Sequence, residues 1–464
     1  MGSRDSARVG GAERVARLLR IVTTVRPREV RKASLLTLNS FLLIFGYYQI
    51  KAAREGLLLA AYPASVKAYL AIPQLLLLIP LIEAFSRLSS RLPRHLLITQ
   101  VTLLCIASLV AFSTLDWFGV PVAITGIVFF IWVGIFNLTI PAQFWGFAND
   151  IYSESEGKRL FPLIALGASL GGVAGPMVAR QIIPVVGVYG IMLVTATILA
   201  TTISLTWAIH ERDIRESGRD MTAAVSVARQ NPLDPGDGFK LVLGSRYLLL
   251  IAAMVLLYNF VNALGEFMFS DLQRRTALRD LGSQVSQQDL QNHIGVAFAG
   301  YQLLGNVIGL AVQLFLVSRV FRWVGIGGAL LVLPAIALGG YGIAAFGASL
   351  LMLKWVKAAE NGVDYSLMKT ARSALFLVTR RQEKYKAQAA IETFFVRGGD
   401  ALCAAMVWLG TVVIPLTIEG FAMVNVAAVC LWILLSIRIA RERARMLAAA
   451  ASPVVTAAAA SSVP

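Results

Sequence analysis

At 464 residues, with 57% hydrophobic and only 15% charged residues, the chain is too apolar for a soluble enzyme and reads as a polytopic membrane protein. Its formal net charge of +16 would suggest nucleic acid in a soluble chain, but here the placement of the basic residues decides what they mean.

Hydropathy predicts twelve spans, at about 34–59, 66–86, 95–115, 120–148, 160–184, 187–209, 247–270, 291–317, 324–346, 350–378, 387–414 and 419–437. Of the 42 Lys and Arg, 30 fall in the N-terminal arm, the even-to-odd loops and the C-terminal tail. That bias predicts a multi-pass protein of a bacterial inner membrane with both termini cytoplasmic. The basic balance then reflects topology and anionic lipid, and nucleic acid is not expected as a partner. The organisation expected is a basic arm (1–32), a six-helix bundle (33–209), a cytoplasmic linker (210–246), a second six-helix bundle (247–440) and a low-complexity tail (441–464). The fold class is an all-α polytopic membrane protein of twelve transmembrane helices in two bundles.

In chain order, the arm alternates Arg14, Arg17 and Arg20 with Val15, Leu18, Leu19 and Val22, which predicts a short interfacial helix; an organelle transit peptide is the competing reading. The first span ends in YYQIKAAREGLLLA, with Tyr47, Lys51 and Arg54 on one face and Glu55 at its margin. Two inward cations there would suit an anion, unless both snorkel to the nearer interface. The second span ends in the short basic turn FSRLSSRLPRHLL.

The fourth and fifth spans carry NLTIPAQFWGFANDIYSESEGKRLFPLIALGASLGGVAGP. Pro141 predicts a bend, and Gly167, Gly171 and Gly175 form a smooth ridge for close helix packing. No strand precedes these glycines and Gly157-Lys158 lacks an upstream phosphate-loop glycine, so no nucleotide loop of the soluble kind is present. Cys105, Cys403 and Cys430 lie within spans, and His95, His210 and His293 are far apart in sequence. Neither a metal nor a cofactor is expected.

The seventh span sets Asn259, Asn262, Glu266 and Ser270 on one face, and the eighth does the same with Gln302, Asn306, Gly309 and Gln313. The tenth span is the most charged, LMLKWVKAAENGVDYSLMKTARSALFLVT, and its periodicity puts Lys354, Lys357, Asn361, Asp364, Tyr365, Lys369 and Arg372 on one side. Lys354 to Arg372 is a rise of about 27 Å at about 1.5 Å per residue, so snorkelling at the two ends cannot rescue the middle. Four cations against Glu360 and Asp364 leave a positive surplus that favours an anionic ligand. The alternative is a self-neutralising network, for instance Lys357 with Glu360. In the eleventh span, Arg397 with Asp400 reads as a structural pair, and RRQEKYKAQAAIETFFVRGGD overlays faintly on EGKRLFPLIALGASLGG, as two parallel repeats would.

FWGFAND at 144–150, EGKRLFPL at 156–163, YSL at 365–367 and KYKAQAAIET at 384–393 carry a resemblance to the bacterial and plastid nucleotide transporters, the ATP:ADP antiporter family, over about residues 33–440. The resemblance implies a major-facilitator-like fold and exchange of nucleotides, often ATP against ADP. It also implies transport roles for Lys51, Asp150, Glu266 and, by looser match, Lys369, Arg372 and Lys384. The chain departs from the pattern at Asp364, where family members tend to have lysine, at Lys369-Thr370, where they tend to have an acidic-proline pair, and in having Asp150 rather than Glu. A divergent member is implied. Its candidate substrate-binding set is Lys51, Arg54, Asp150, Glu266, Lys354, Lys357, Asn361, Asp364, Lys369, Arg372 and Lys384. The other readings are a carrier of another organic or phosphorylated anion, or a non-transporting scaffold or sensor.

Overall fold

Thirty-two residues without a proline make the first apolar run a single helix, α1 (Val30–Ala61), which stops where Tyr62 turns extended ahead of Pro63. The computed structural model describes Arg26 and residues 29–89, 92–217, 235–282, 284–379 and 381–450, except for some side chains within helices. The expected interfacial helix of the arm, the middle of the linker and the end of the tail lie outside the described residues.

The remaining helices are α2 (Ala64–Tyr69), α3 (Ala71–Ser89), α4 (Arg94–Thr114), α5 (Val122–Ile151), α6 (Glu154–Ser217), α7 (Pro235–Gly244), α8 (Arg246–Leu281), α9 (Gln287–Ala311), α10 (Val317–Ala344), α11 (Leu350–Val363), α12 (Lys369–Leu375), α13 (Arg381–Ala390), α14 (Val396–Trp408) and α15 (Ile418–Ala450). No strand occurs among the described residues. Among the described residues, eight helical stretches are long and apolar enough to cross a membrane. Two of them, Ser155–Ile214 and Gln287–Ala344, each contain two of the expected spans. The chain reverses inside them at Gly187 (φ 74°) and Gly325 (φ 64°), a left-handed conformation that a side chain would strain. The expected span at 66–86 divides into α2 and α3, and the tenth is interrupted by a π-helical turn over Asp364–Met368.

The first compact unit draws on residues 1–62, 73–231 and 277–303. Its centre is the crossing of α1 with α6. A methyl group added at Gly167 or Gly175 would sit 2.5 Å from the backbone oxygens of Thr37 and Phe45, and one at Gly171 would strike that of Phe41. The glycine ridge therefore lets two helix backbones touch, and Ser40 uses the approach to donate across it to the Ile164 carbonyl at 2.8 Å. Asn39 reaches Thr206 at 3.1 Å, and Thr195 donates to Gln49 at 3.1 Å. At the start of α1, Arg159 grips Glu29 and Lys32 holds Asp213 at 2.8 Å. The unit also brings together two histidines that are remote in sequence: the rings of His95 and His210 stack with centroids 3.8 Å apart. No cluster of three or more metal-ligating side chains occurs among the described residues.

The second unit draws on residues 63–72, 232–276 and 304–464. Buried Trp432, Tyr341, Phe269 and Phe376 form its interior. Gly305 and Gly309 of α9 face Ala358 and Gly362 of α11, where an added methyl at Gly362 would meet the Gly309 nitrogen at 2.9 Å. Gly399 packs its backbone against the Leu256 carbonyl of α8. Among the described residues of this unit there are four π turns, at Val312–Leu316, Asp364–Met368, Ile391–Phe395 and Leu409–Val413. Each adds a residue to a turn and rotates the C-terminal part of its helix relative to the N-terminal part.

Candidate substrate-binding site

In the first unit the cations of α1 lie among aromatic rings. Lys51 Nζ is 5.9 Å from the Tyr47 centroid and 5.3 Å from that of Tyr48, and the Arg54 guanidinium is 4.4 Å from that of Phe130. Arg54 also pairs with its neighbour Glu55, which is almost completely buried. Cation–π contact and ion pairing hold both cations at half-buried positions. Asp150, at the end of α5, accepts from Arg94 Nε at 2.9 Å. The turn joining α5 to α6 builds a pocket of about 700 Å³ walled by Trp145, Tyr152 and Phe161, with Asn149 and Lys158 on its lining.

In the second unit the tenth span breaks into three environments, because the π turn changes the helical register halfway along. The single charged stripe read from the sequence does not run unbroken through it. Lys357 is fully buried: its ammonium donates to Glu360 Oε2 at 2.9 Å, Asn262 Oδ1 at 2.8 Å and the Asn262 carbonyl at 3.2 Å. Tyr341 donates to the same Glu360 oxygen at 2.9 Å. This knot is the self-neutralising network, and it occupies Lys357. Beyond the π turn, Arg372 lies with its guanidinium 4.9 Å from the Tyr258 centroid and is the chief cation near Asp364. Tyr365 and Lys369 are exposed, while Lys354 and Asn361 are half-buried.

Glu266 meets a partner that sequence reasoning did not propose. Lys67 of α2 brings its ammonium 3.6 Å from Glu266 Oε2 and donates to Ser270 at 3.1 Å, while the Asn361 amide reaches Glu266 Oε1 at 3.5 Å. The second unit thus gathers Lys67, Glu266 and Asn361 into one group, and Asn262, Tyr341, Lys357 and Glu360 into another. Lys67 carried one signal, a lone cation early in an apolar span; Tyr341 carried none. The side chain of Lys384 lies outside the described residues.

The profile of the family described as TLC ATP/ADP transporter matches residues 123–442. Among curated relatives, the ADP,ATP carrier protein 1 of Chlamydia trachomatis serovar D is 23% identical over an alignment of 299 residues that covers 57% of this chain and 54% of that protein. The chain thus spans about half the length of the curated relatives it matches. Among solved structures, a bacterial homologue of the iron transporter ferroportin in an inward-facing state aligns with a TM-score of 0.58 at 12% identity, covering 88% of this chain and 98% of that one. A POT family transporter in complex with 5-aminolevulinic acid aligns with a TM-score of 0.55 at 13% identity, covering 90% and 96%. At such identities the likeness shows the fold alone, which is all-α, polytopic and of the major-facilitator type.

Proposed function

This chain belongs to the TLC ATP/ADP transporter family, and we propose that it exchanges nucleotides of the ATP and ADP type across the membrane by alternating access. One observation in the molecule carries the reading: an apolar span holds Lys354, Lys357, Lys369 and Arg372 against only Glu360 and Asp364, and Lys357 is already matched by Glu360. Positive charge in excess within a span is retained where an anion is handled. Arg372, with its guanidinium over the Tyr258 ring, can make two parallel bonds to a phosphate, whereas Lys354 and Lys369 act as point charges. Lys51 and Arg54 supply the corresponding cations of the first unit, and Asp150, Glu266 and Asn361 orient their neighbours. Lys357 and Asp364 contribute by fixing the charged span, and Lys384 adds charge at the entry to the eleventh. The protein works in a bacterial inner membrane with both termini in the cytoplasm, as its basic loops favour. One departure supports a second reading, transport of another phosphorylated anion: Asp364 is acidic where the resembling family tends to carry lysine.

Exchange of labelled ATP and ADP by purified protein in liposomes tests the proposal. Uptake that requires nucleotide on the far side supports it. Uptake of a different phosphorylated anion, with none of nucleotide, selects the second reading, and no transport of either would overturn both.

A further inference from the structure

One end of the second unit carries positive charge that no acid answers. Between residues 290 and 359 the sequence has no Asp or Glu, and after residue 419 it has only Glu442. On α15, Leu431, Leu434, Arg438, Arg441 and Arg445 fall within about 80° of arc at about 100° per residue, and all five are exposed. Leu431 and Leu434 are 51% and 56% exposed on a helix apolar enough to cross a membrane, so this face meets hydrocarbon. Arg438 follows Leu434 after a rise of about 6 Å, so the same face turns from apolar to cationic where the span ends.

A second element adds to this face. Gly327 of α10 packs on α15, where an added methyl group would lie 3.0 Å from the Ala440 side chain. The chain reverses two residues earlier, at Gly325, which sets Arg322 and Trp323 on the turn beside the arginine end of α15. Both are exposed, Trp323 to 74%. Arg319 donates to the Phe315 carbonyl of its own helix, and Arg445 to Glu442 at 3.4 Å. Arg322, Arg438 and Arg441 make no hydrogen bond or ion pair among the described residues.

The chemistry of the face selects its occupant. Topology alone requires cations near the end of a span but does not require them on one face. Here they continue a stripe of exposed leucine and stand beside an exposed indole, the side chain that favours the headgroup level. Guanidinium groups fork onto phosphate oxygens, and leucines suit an acyl chain. A soluble anion would satisfy the arginines and leave the leucines without a role. A choline headgroup would bring its own positive charge towards three arginines, so a net anionic lipid is favoured.

We infer that this face of the second unit binds an anionic phospholipid, with its phosphate held by Arg438, Arg441 and Arg322 and an acyl chain lying along Leu434 and Leu431. The site lies on the side of the C-terminus and holds its lipid whichever anion the protein carries.

Thermal melts of the purified full-length protein, stripped of lipid by detergent exchange, test the site. The probes are phosphatidylglycerol, phosphatidylcholine and water-soluble glycerol phosphate. Phosphatidylglycerol should raise the melting temperature, and the other two should have little effect. Arg438→Gln combined with Arg441→Gln should raise the phosphatidylglycerol concentration needed for half the shift at least about tenfold. Arg31→Gln combined with Arg246→Gln removes the same charge at two other exposed helix starts and should respond as wild type does. Native mass spectrometry should show a bound phosphatidylglycerol on wild type that the Arg438 and Arg441 variant lacks. No shift in wild type, or an undiminished shift in that variant, overturns the site. An equal shift with phosphatidylcholine overturns its charge selectivity, and an equal shift with glycerol phosphate replaces the lipid by a free phosphate. An equal loss in the Arg31 and Arg246 variant assigns the effect to net charge and also overturns the site.

Discussion

Lys67 and Glu266 meet within the second unit, ammonium 3.6 Å from carboxylate, although one begins the second expected span and the other lies in the seventh. The contact gives the glutamate a partner and fixes the short helix α2 to α8. Both side chains keep some solvent access, so screening limits what the pair adds to stability. Its value lies in position: the Asn361 amide of α11 reaches the same carboxylate. Lys67→Met should therefore lower nucleotide exchange about tenfold with a melting temperature close to wild type. Charge reversal at both positions, Lys67→Glu with Glu266→Lys, should recover part of the loss. Equal loss in the single and double variants would show that the pairing itself is immaterial.

The Lys357–Glu360 pair predicts a different outcome from Arg372, although all three belong to one span. Lys357 is inaccessible and makes three hydrogen bonds, so Lys357→Met strands a buried carboxylate at a cost of about 3–5 kcal/mol. Arg372→Gln should leave folding nearly intact. Wild-type protein should be stabilised by ATP and ADP as RT ln(1 + [L]/Kd), with little effect of an uncharged nucleoside, and Arg372→Gln should lose most of that shift. An early-melting Arg372→Gln that keeps the full nucleotide shift would return the arginine to a structural role.

The glycine ridge can be tested against glycines that have room. Gly171→Ala drives a methyl group into the Phe41 carbonyl and should cost about 1–3 kcal/mol, whereas Gly339→Ala meets nothing within 4 Å and should gain up to about 1 kcal/mol from helix propensity. Thermal melts of the two purified variants should move in opposite directions.

At the start of α1, Glu29 has a definite pH signature. Partial burial raises its carboxyl, but hydrogen bonds from Arg159 and the Arg26 backbone, with both positive charges, outweigh that and hold it below the usual 4.5. A carboxyl depressed on folding stabilises above its unfolded value and loses that contribution as pH falls through the folded one. Wild type should therefore exceed Glu29→Gln in stability at pH 7, with the gap closing below pH 4.5. A gap that persists unchanged into strong acid would assign the difference to packing.

What was legible in the sequence was whatever depends on neighbours along one helix. Hydropathy marked the apolar runs, a four-residue glycine step marked the face by which α6 lies on α1, and a three-residue spacing marked Lys357 with Glu360. Each comes from 3.6 residues per turn and the cost of leaving polar groups in hydrocarbon. Only the tertiary structure brought Lys67 to Glu266, Asn262 and Tyr341 to the Lys357–Glu360 pair, Trp432 into one cavity with Glu360 and Asp364, and His95 onto His210. Those meetings join side chains from different helices, whose rotation about their own axes is set by packing and has no local periodic signature. The π turn at Asp364–Met368 is the clearest case: one extra residue in a turn, invisible to a regular 100° count, separates Lys357 in the interior from Lys369 at the surface.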